Sequence, residues 1–207
     1  MKRHFYLFLI FMLFVSCEKE VVETVDFRQE MRDFVIEIST YAKGEDPSFL
    51  IIPQNGNELF TINGDTSGDI SEQYLQAIDG VGREDLFYGY SEDNMPTPEL
   101  QNQIMRGFLN MARERNKVIL VTDYCSTIQR VNTSYENNEA NGYISFAADE
   151  RELNTIPDYP EEPYNVNEDQ ITSLSMASNF LYLLNMENYE TKEEYIEAIE
   201  GTNYDLL

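Results

Sequence analysis

Histidine occurs once in these 207 residues and cysteine twice, and both scarcities remove chemistry. The one histidine, His4, lies in an apolar leader that processing would remove. The mature chain then has no Ser-His or Cys-His nucleophile and no histidine-ligated metal. If Cys17 carries a lipid, Cys125 is the remaining thiol, which excludes an intramolecular disulfide and a cysteine-built zinc site. Cys125 itself reads as a small buried hydrophobe. Basic residues are also few: 14 Lys and Arg against 38 Asp and Glu leave a net charge of −24. A chain so short of positive charge lacks the footprint that nucleic acid requires. Its field would attract cationic ligands, and it equally suits the solvated surface of an exported protein. No cofactor or metal is expected.

The longest apolar run is Phe5 to Val15, well short of the about 20 residues that span a bilayer. Lys2 and Arg3 precede it, and Ser16-Cys17 closes it before "EKEVVE". That order resembles a bacterial lipoprotein signal, with Cys17 as the lipidated N-terminus. The division expected is a signal over 1–17, an acidic tether over 18–26 and a domain over 27–207, membrane-anchored in the cell envelope.

Within the domain, Asp26 is placed to cap a helix, with Phe27, Met31, Phe34, Val35, Ile38 and Ala42 on one face. "FLIIP" reads as a buried strand, "SEQYLQAI" as a short helix and "EDLFYGY" as a second strand. Thr97 and Pro98 open a helix to about Arg115, with Leu100, Ile104, Phe108 and Met111 inward. "KVILVTDY" is the clearest strand, followed by a helix from Val131 to Asn141 and the strand "GYISFAAD". After a long acidic loop over 149–170, "NFLYLL" reads as a fifth strand, Thr191 with Glu194 as a capping box, and "NYDLL" as the start of a sixth strand. Strands alternating with helices imply parallel βα units and an α/β fold.

Ligands of such folds gather at the carboxyl ends of the strands. The residues there are Gln54 and Asn55, the run from Glu84 to Tyr90, Asp123 and Tyr124, Asp149 with Arg151, and Asn185. Carboxylates, amides and tyrosines suit polyol recognition, and they suit glycoside hydrolysis where two carboxylates flank the bond roughly 5–9.5 Å apart. Glu84, between Gly82 and an apolar run, is expected to be partly desolvated, which would raise its pKa toward that of a proton donor. A structural hydrogen bond or a pairing with Arg83 explains it equally well. Gln54 and Asn55 read as ligand-orienting amides or as a plain turn at Asn55-Gly56. Asp123 and Tyr124 read as substrate contacts or as a strand-end cap.

The blocks "MRDFVIEISTYAKGEDPSFLIIPQNGNELF", "AIDGVGREDLFYGY", "VILVTDYC", "GYISFAAD" and "NFLYLLNMENYETKEEYIEAIEGTNYDLL" resemble the glycoside-hydrolase family that includes endo-α-1,4-polygalactosaminidase. The resemblance runs over about residues 27–207 and implies a (β/α)8 TIM barrel, here permuted in order and incomplete, with about six of the eight βα units. It implies a catalytic role for Glu84 and, less directly, substrate-side roles for Gln54, Asn55, Tyr88 and Asp123. It further implies a polysaccharide substrate, a cationic galactosamine polymer being the natural one. The family's second catalytic carboxylate, an aspartate closing a further strand, has no match in this chain. The family's usual tryptophans have none either. A separately encoded second barrel half would be the partner able to supply that aspartate. A non-catalytic glycan-binding lipoprotein and a gene fragment are the alternatives.

Overall fold

The computed structural model describes residues 25–207, so the signal segment, Cys17 and nearly all of the tether lie outside the described residues. Asp26 caps the first helix, α1 (Phe27–Glu45), its carboxylate accepting from the N–H groups of Arg28 and Gln29 at 3.1 Å. After a loop come α2 (Glu72–Ala77), β1 (Gly80–Glu84), α3 (Glu99–Arg113), β2 (Val118–Tyr124), α4 (Ile128–Ala140) and β3 (Ile144–Ala148). A long irregular segment leads to α5 (Lys192–Glu200), where Thr191 accepts from the Glu194 N–H and Glu194 reaches back to the N–H of Glu190. The strands form one parallel sheet in the order β1-β2-β3, with Glu84 opposite Thr122 and Tyr124 opposite Ala148. The fold is α/β, and no closed barrel is present among the described residues. None of the described helices is long and apolar enough to cross a membrane.

Alternation along the strands divides the core. Val81, Ile119 and Val121 face α2 and α3, where Leu75, Ile78, Phe108, Leu109 and Ala112 bury them. Leu120, Ile144 and Phe146 face the other way, against Phe180, Leu181 and Tyr204. On that second face a cavity of about 370 Å³ remains, walled by Ile52, Leu120, Phe180 and Leu206.

Several elements differ from the sequence expectation. The strand expected over 84–90 lies upstream at Gly80–Glu84, because Asp85 takes a left-handed φ of 60° and ends it. The "FLIIP" stretch runs beside β1 but carries a single parallel bridge, Gln54 with Gly82. Pro53 has no N–H to extend that ladder, and the Ile51 N–H is taken by the Asp79 carboxylate at 2.8 Å. The stretches expected as fifth and sixth strands share one backbone–backbone bond, Leu181 N–H to Leu206 carbonyl at 2.9 Å, and one from the Asp205 N–H to Asn179 Oδ1 at 2.8 Å, and are otherwise irregular.

The face of α1 is rotated: of the expected residues Val35 packs on the core and Ala42 is half-buried, but Phe27, Met31, Phe34 and Ile38 are exposed. Phe27 is 76% and Phe34 56% exposed, while Arg32 and Ser39 are buried. The Arg32 guanidinium binds the carbonyls of Leu59, Thr61 and Ile62, and Ser39 binds that of Ala77, so polar anchors rather than apolar spacing orient the helix. On α3 the expected Phe108 is buried and Met111 packs against the core, with Met105, Leu109 and Ala112 beside them, whereas the expected Leu100 and Ile104 are exposed.

Asp123, expected at the substrate side, is fully buried. Its carboxylate accepts from the N–H groups of Phe87 (2.8 Å) and Tyr88 (3.2 Å), the Ser134 hydroxyl (2.6 Å) and the Asn138 amide (3.1 Å). Burial pushes its carboxyl above the ordinary value, against the pull of these donors. One side chain thus ties β2 to α4 and to the loop after β1. Truncation by Asp123→Ala would strand buried donors. It is expected to lower stability by at least about 3 kcal/mol in urea unfolding, and a loss below about 1 kcal/mol would contradict this role.

Candidate functional site

Glu84 ends β1 and Tyr124 ends β2, and strand alternation puts both on the sheet face opposite α3, with Glu84 level with Thr122 and Tyr124 two residues further on. The Tyr124 hydroxyl donates a short hydrogen bond to Glu84 Oε1. The Asn55 amide donates to Oε2 at 2.6 Å, and the Glu84 N–H returns a bond to Asn55 Oδ1 at 3.1 Å. Asn55 and Gly56 both take left-handed φ values near 60°, a turn that points the Asn55 amide back at β1. Gln54 lies across Gly82, where an added Cβ would sit 1.8 Å from Gln54 Oε1. Glycine is therefore what lets this amide cross the strand.

Arg151, on the loop after β3, closes the far side. It binds Asp85 and Asp93, each at 2.7 Å, and the Gly89 carbonyl, with its guanidinium 4.2 Å from the centre of the Tyr124 ring. Tyr182 comes from the 179–184 stretch. Burial raises its phenol, and the charge of Glu84 adds to the rise.

These neighbours decide the charge on Glu84. Partial burial pushes its carboxyl up, but hydrogen bonds from Tyr124, Asn55 and Gln54, with the Arg151 charge, outweigh it and hold the carboxyl below its ordinary value. The desolvation expected from sequence is present and loses to hydrogen bonding. Glu84 is thus an ionised carboxylate near neutral pH, fit to act as base, nucleophile or acceptor rather than as acid. Tyr124 shows the converse: burial and then its bond to Glu84 push the phenol well above the ordinary range, so it stays a donor.

Of the residues expected from sequence, Gln54, Asn55, Glu84 and Tyr124 meet here. Asp123 does not, since alternation points it to the opposite face. Tyr88 packs beside Cys125, Val131 and Tyr135, and lines a separate polar cleft of about 360 Å³ between α3 and α4 with Asn102 and Arg106. Burial pushes the Cys125 thiol strongly up, which makes it inert. Arg83, the expected alternative partner of Glu84, lies 3.5 Å from Asn57 Oδ1 instead. Asp149 has its carboxyl raised by burial, with Asp158 and Glu150 adding, and its charge acts on Tyr204, Tyr135 and Cys125. Sequence reasoning missed Tyr182 and did not connect Arg151 to Glu84. The only signal for Tyr182 was a polar-tipped residue inside an apolar run. No cluster of three or more His, Cys, Asp or Glu suited to a metal occurs among the described residues.

No family model matches the chain. Among curated proteins it is similar to an uncharacterized protein of Thermotoga maritima, 28% identical over 138 residues that take in 63% of this chain and 40% of that protein. It is also similar to an uncharacterized protein of Deinococcus radiodurans, 26% identical over 129 residues, or 62% of this chain and 38% of that one. The chain therefore spans less than half the length of the curated relatives it matches.

A depressed carboxyl stabilises the fold above its ordinary value of 4.5, and that contribution disappears as the pH falls through its value in the folded protein. The difference in urea midpoint between wild type and Glu84→Gln is expected to be level near neutrality and to shrink on acidification below 4.5. A difference that grows on acidification would place the Glu84 carboxyl above its ordinary value instead.

Proposed function

We propose that this protein is a lipid-anchored, glycoside-hydrolase-like protein of the cell envelope whose Glu84 site accepts a polysaccharide of α-1,4-linked amino sugars. The observation that carries the reading is an ionised carboxylate at the carboxyl end of a parallel strand, surrounded by two amides and two tyrosines. Amides and carboxylates bond sugar hydroxyls, phenol rings pack on sugar faces, and the carboxylate draws in the ammonium groups of a galactosamine polymer. The net charge of −24 acts in the same direction.

The sugar and linkage come from the resemblance of the sequence blocks to the polygalactosaminidase family. In the same reading the sheet is part of a permuted (β/α)8 barrel of about six βα units, with the 51–55, 179–184 and 203–207 stretches taking strand places. A separately encoded second half would cover the apolar surface of α1 at Phe27, Met31 and Phe34 and would bring the second carboxylate. Lipidation at Cys17 would hold the domain at the membrane. Neither a cofactor nor nucleic acid enters this scheme.

One observation favours a glycan-binding role for this chain alone. Hydrolysis needs a proton donor opposite an ionised carboxylate. The neighbouring Asp85 is committed to Arg151, and the Tyr124 proton is committed to Glu84.

Incubation of the mature chain with α-1,4-linked galactosamine oligomers tests the proposal. Expected are saturable binding, at least about tenfold weaker in Glu84→Gln, and little release of reducing ends. Neither binding nor release would end the glycan reading. Rapid release abolished by Glu84→Gln would instead show that the chain carries a complete catalytic pair.

A further inference from the structure

Arg151 follows β3 in the chain, yet its contacts lie on the loop after β1 and on the last residue of β2. Its Nε donates to Asp93 Oδ1 and its Nη2 to Asp85 Oδ1, each at 2.7 Å, and Nη2 also meets the Gly89 carbonyl. The loop is folded tightly around this guanidinium. Gly89 has a φ of +113°, and a Cβ there would lie 2.4 Å from Asp85 Oδ1, 3.0 Å from Arg151 Nη2 and 3.1 Å from Tyr124 Cβ. The ion pairs are too exposed for their stability alone to explain such an arrangement. What they fix is the guanidinium over the Tyr124 ring, and the hydroxyl of that ring is the one bonded to Glu84. A cation over a phenol also strengthens the hydrogen bond the phenol donates.

We infer that Arg151 is a positioning residue for the Glu84 carboxylate, acting through the Tyr124 ring and through the loop after β1 that it clamps. The inference deepens the proposed function and rests on it for its meaning in recognition or catalysis, while the arrangement itself belongs to the carboxylate whatever the ligand. The charged or titratable groups that act on or around Glu84 are Tyr124 from β2, Tyr182 from the 179–184 stretch, Arg151 from the loop after β3, and Arg83 and Asp85 beside it in the chain.

The test follows the Glu84 side-chain carboxyl by carbon-13 NMR during acid titration, its signal assigned by loss in Glu84→Gln. In Arg151→Gln the Glu84 midpoint is expected to rise by about one pH unit. In the double variant with Tyr124→Phe the shifts are expected to fall short of the sum of the single ones, because both substitutions break the same path. An unmoved midpoint in Arg151→Gln would overturn the inference, and so would strictly additive shifts, which would leave only the direct charge of Arg151 acting on Glu84 and no path through Tyr124. Should Arg151→Gln not fold, Arg151→Lys keeps the charge and loses the fork that binds Asp85 and Asp93 and lies over the Tyr124 ring. The midpoint is expected to move up there by a few tenths of a unit, and no movement would again be decisive against the inference. If glycan binding fails while the coupled shifts are found, the proposed function falls and the positioning role stands.

Discussion

The structure depends on what happens at the last two residues of β2. Asp123 points to the helix-covered face and is consumed there by two backbone N–H groups, a hydroxyl and an amide. Tyr124 points the opposite way and reaches Glu84. The buried carboxylate fixes the backbone at Phe87 and Tyr88, which sets the course of the loop carrying Asp85, Gly89 and Asp93. That loop holds Arg151, and Arg151 lies over Tyr124. The order therefore runs from a structural acid on one face of the sheet to a charged acid on the other, through a single strand end.

Two carboxylates on adjacent strands, one register position apart, meet opposite fates for one physical reason. Asp123 is completely enclosed, so desolvation prevails over its donors. Glu84 is only partly enclosed, so the bonds from Tyr124 and Asn55, each of about 2 kcal/mol for a charged acceptor, together with the Gln54 amide and the Arg151 charge, prevail over desolvation. Partial exposure is also what leaves it open to a ligand. A site built this way is an acceptor for hydroxyl or ammonium groups first, and a catalyst only if a proton donor is brought to it.

Much of the fold was legible in the sequence because its signals are local. The Asp26 cap, the apolar run of β2, the βα alternation and the Thr191 box all depend on residues within a few positions of each other. What could not be read depends on contacts between distant segments. Gly80 and Gly82 look like breaks in a strand, yet they belong to β1, paired with Val118 and Leu120 of β2, and the bare Gly82 leaves room for Gln54 to lie across it. The face of α1 is chosen by Arg32 and Ser39 binding carbonyls from 27 to 38 residues away. The same division holds for the site. Gln54, Asn55, Glu84 and Tyr124 were reachable by asking what ends a parallel strand. Asp123 could not be told from Tyr124 without knowing the face, and Arg151 and Tyr182 reach the site only through tertiary contacts.

On the proposed function, the carboxylate site at the carboxyl ends of β1 and β2 is where a glycan ligand would bind. Nitrogen-15 NMR mapping of the mature chain with galactosamine oligomers tests it most directly. The account predicts saturating amide shifts concentrated at Gln54, Asn55, Glu84, Tyr124 and Tyr182. Shifts confined to the cleft between α3 and α4, around Tyr88 and Asn102, would contradict it.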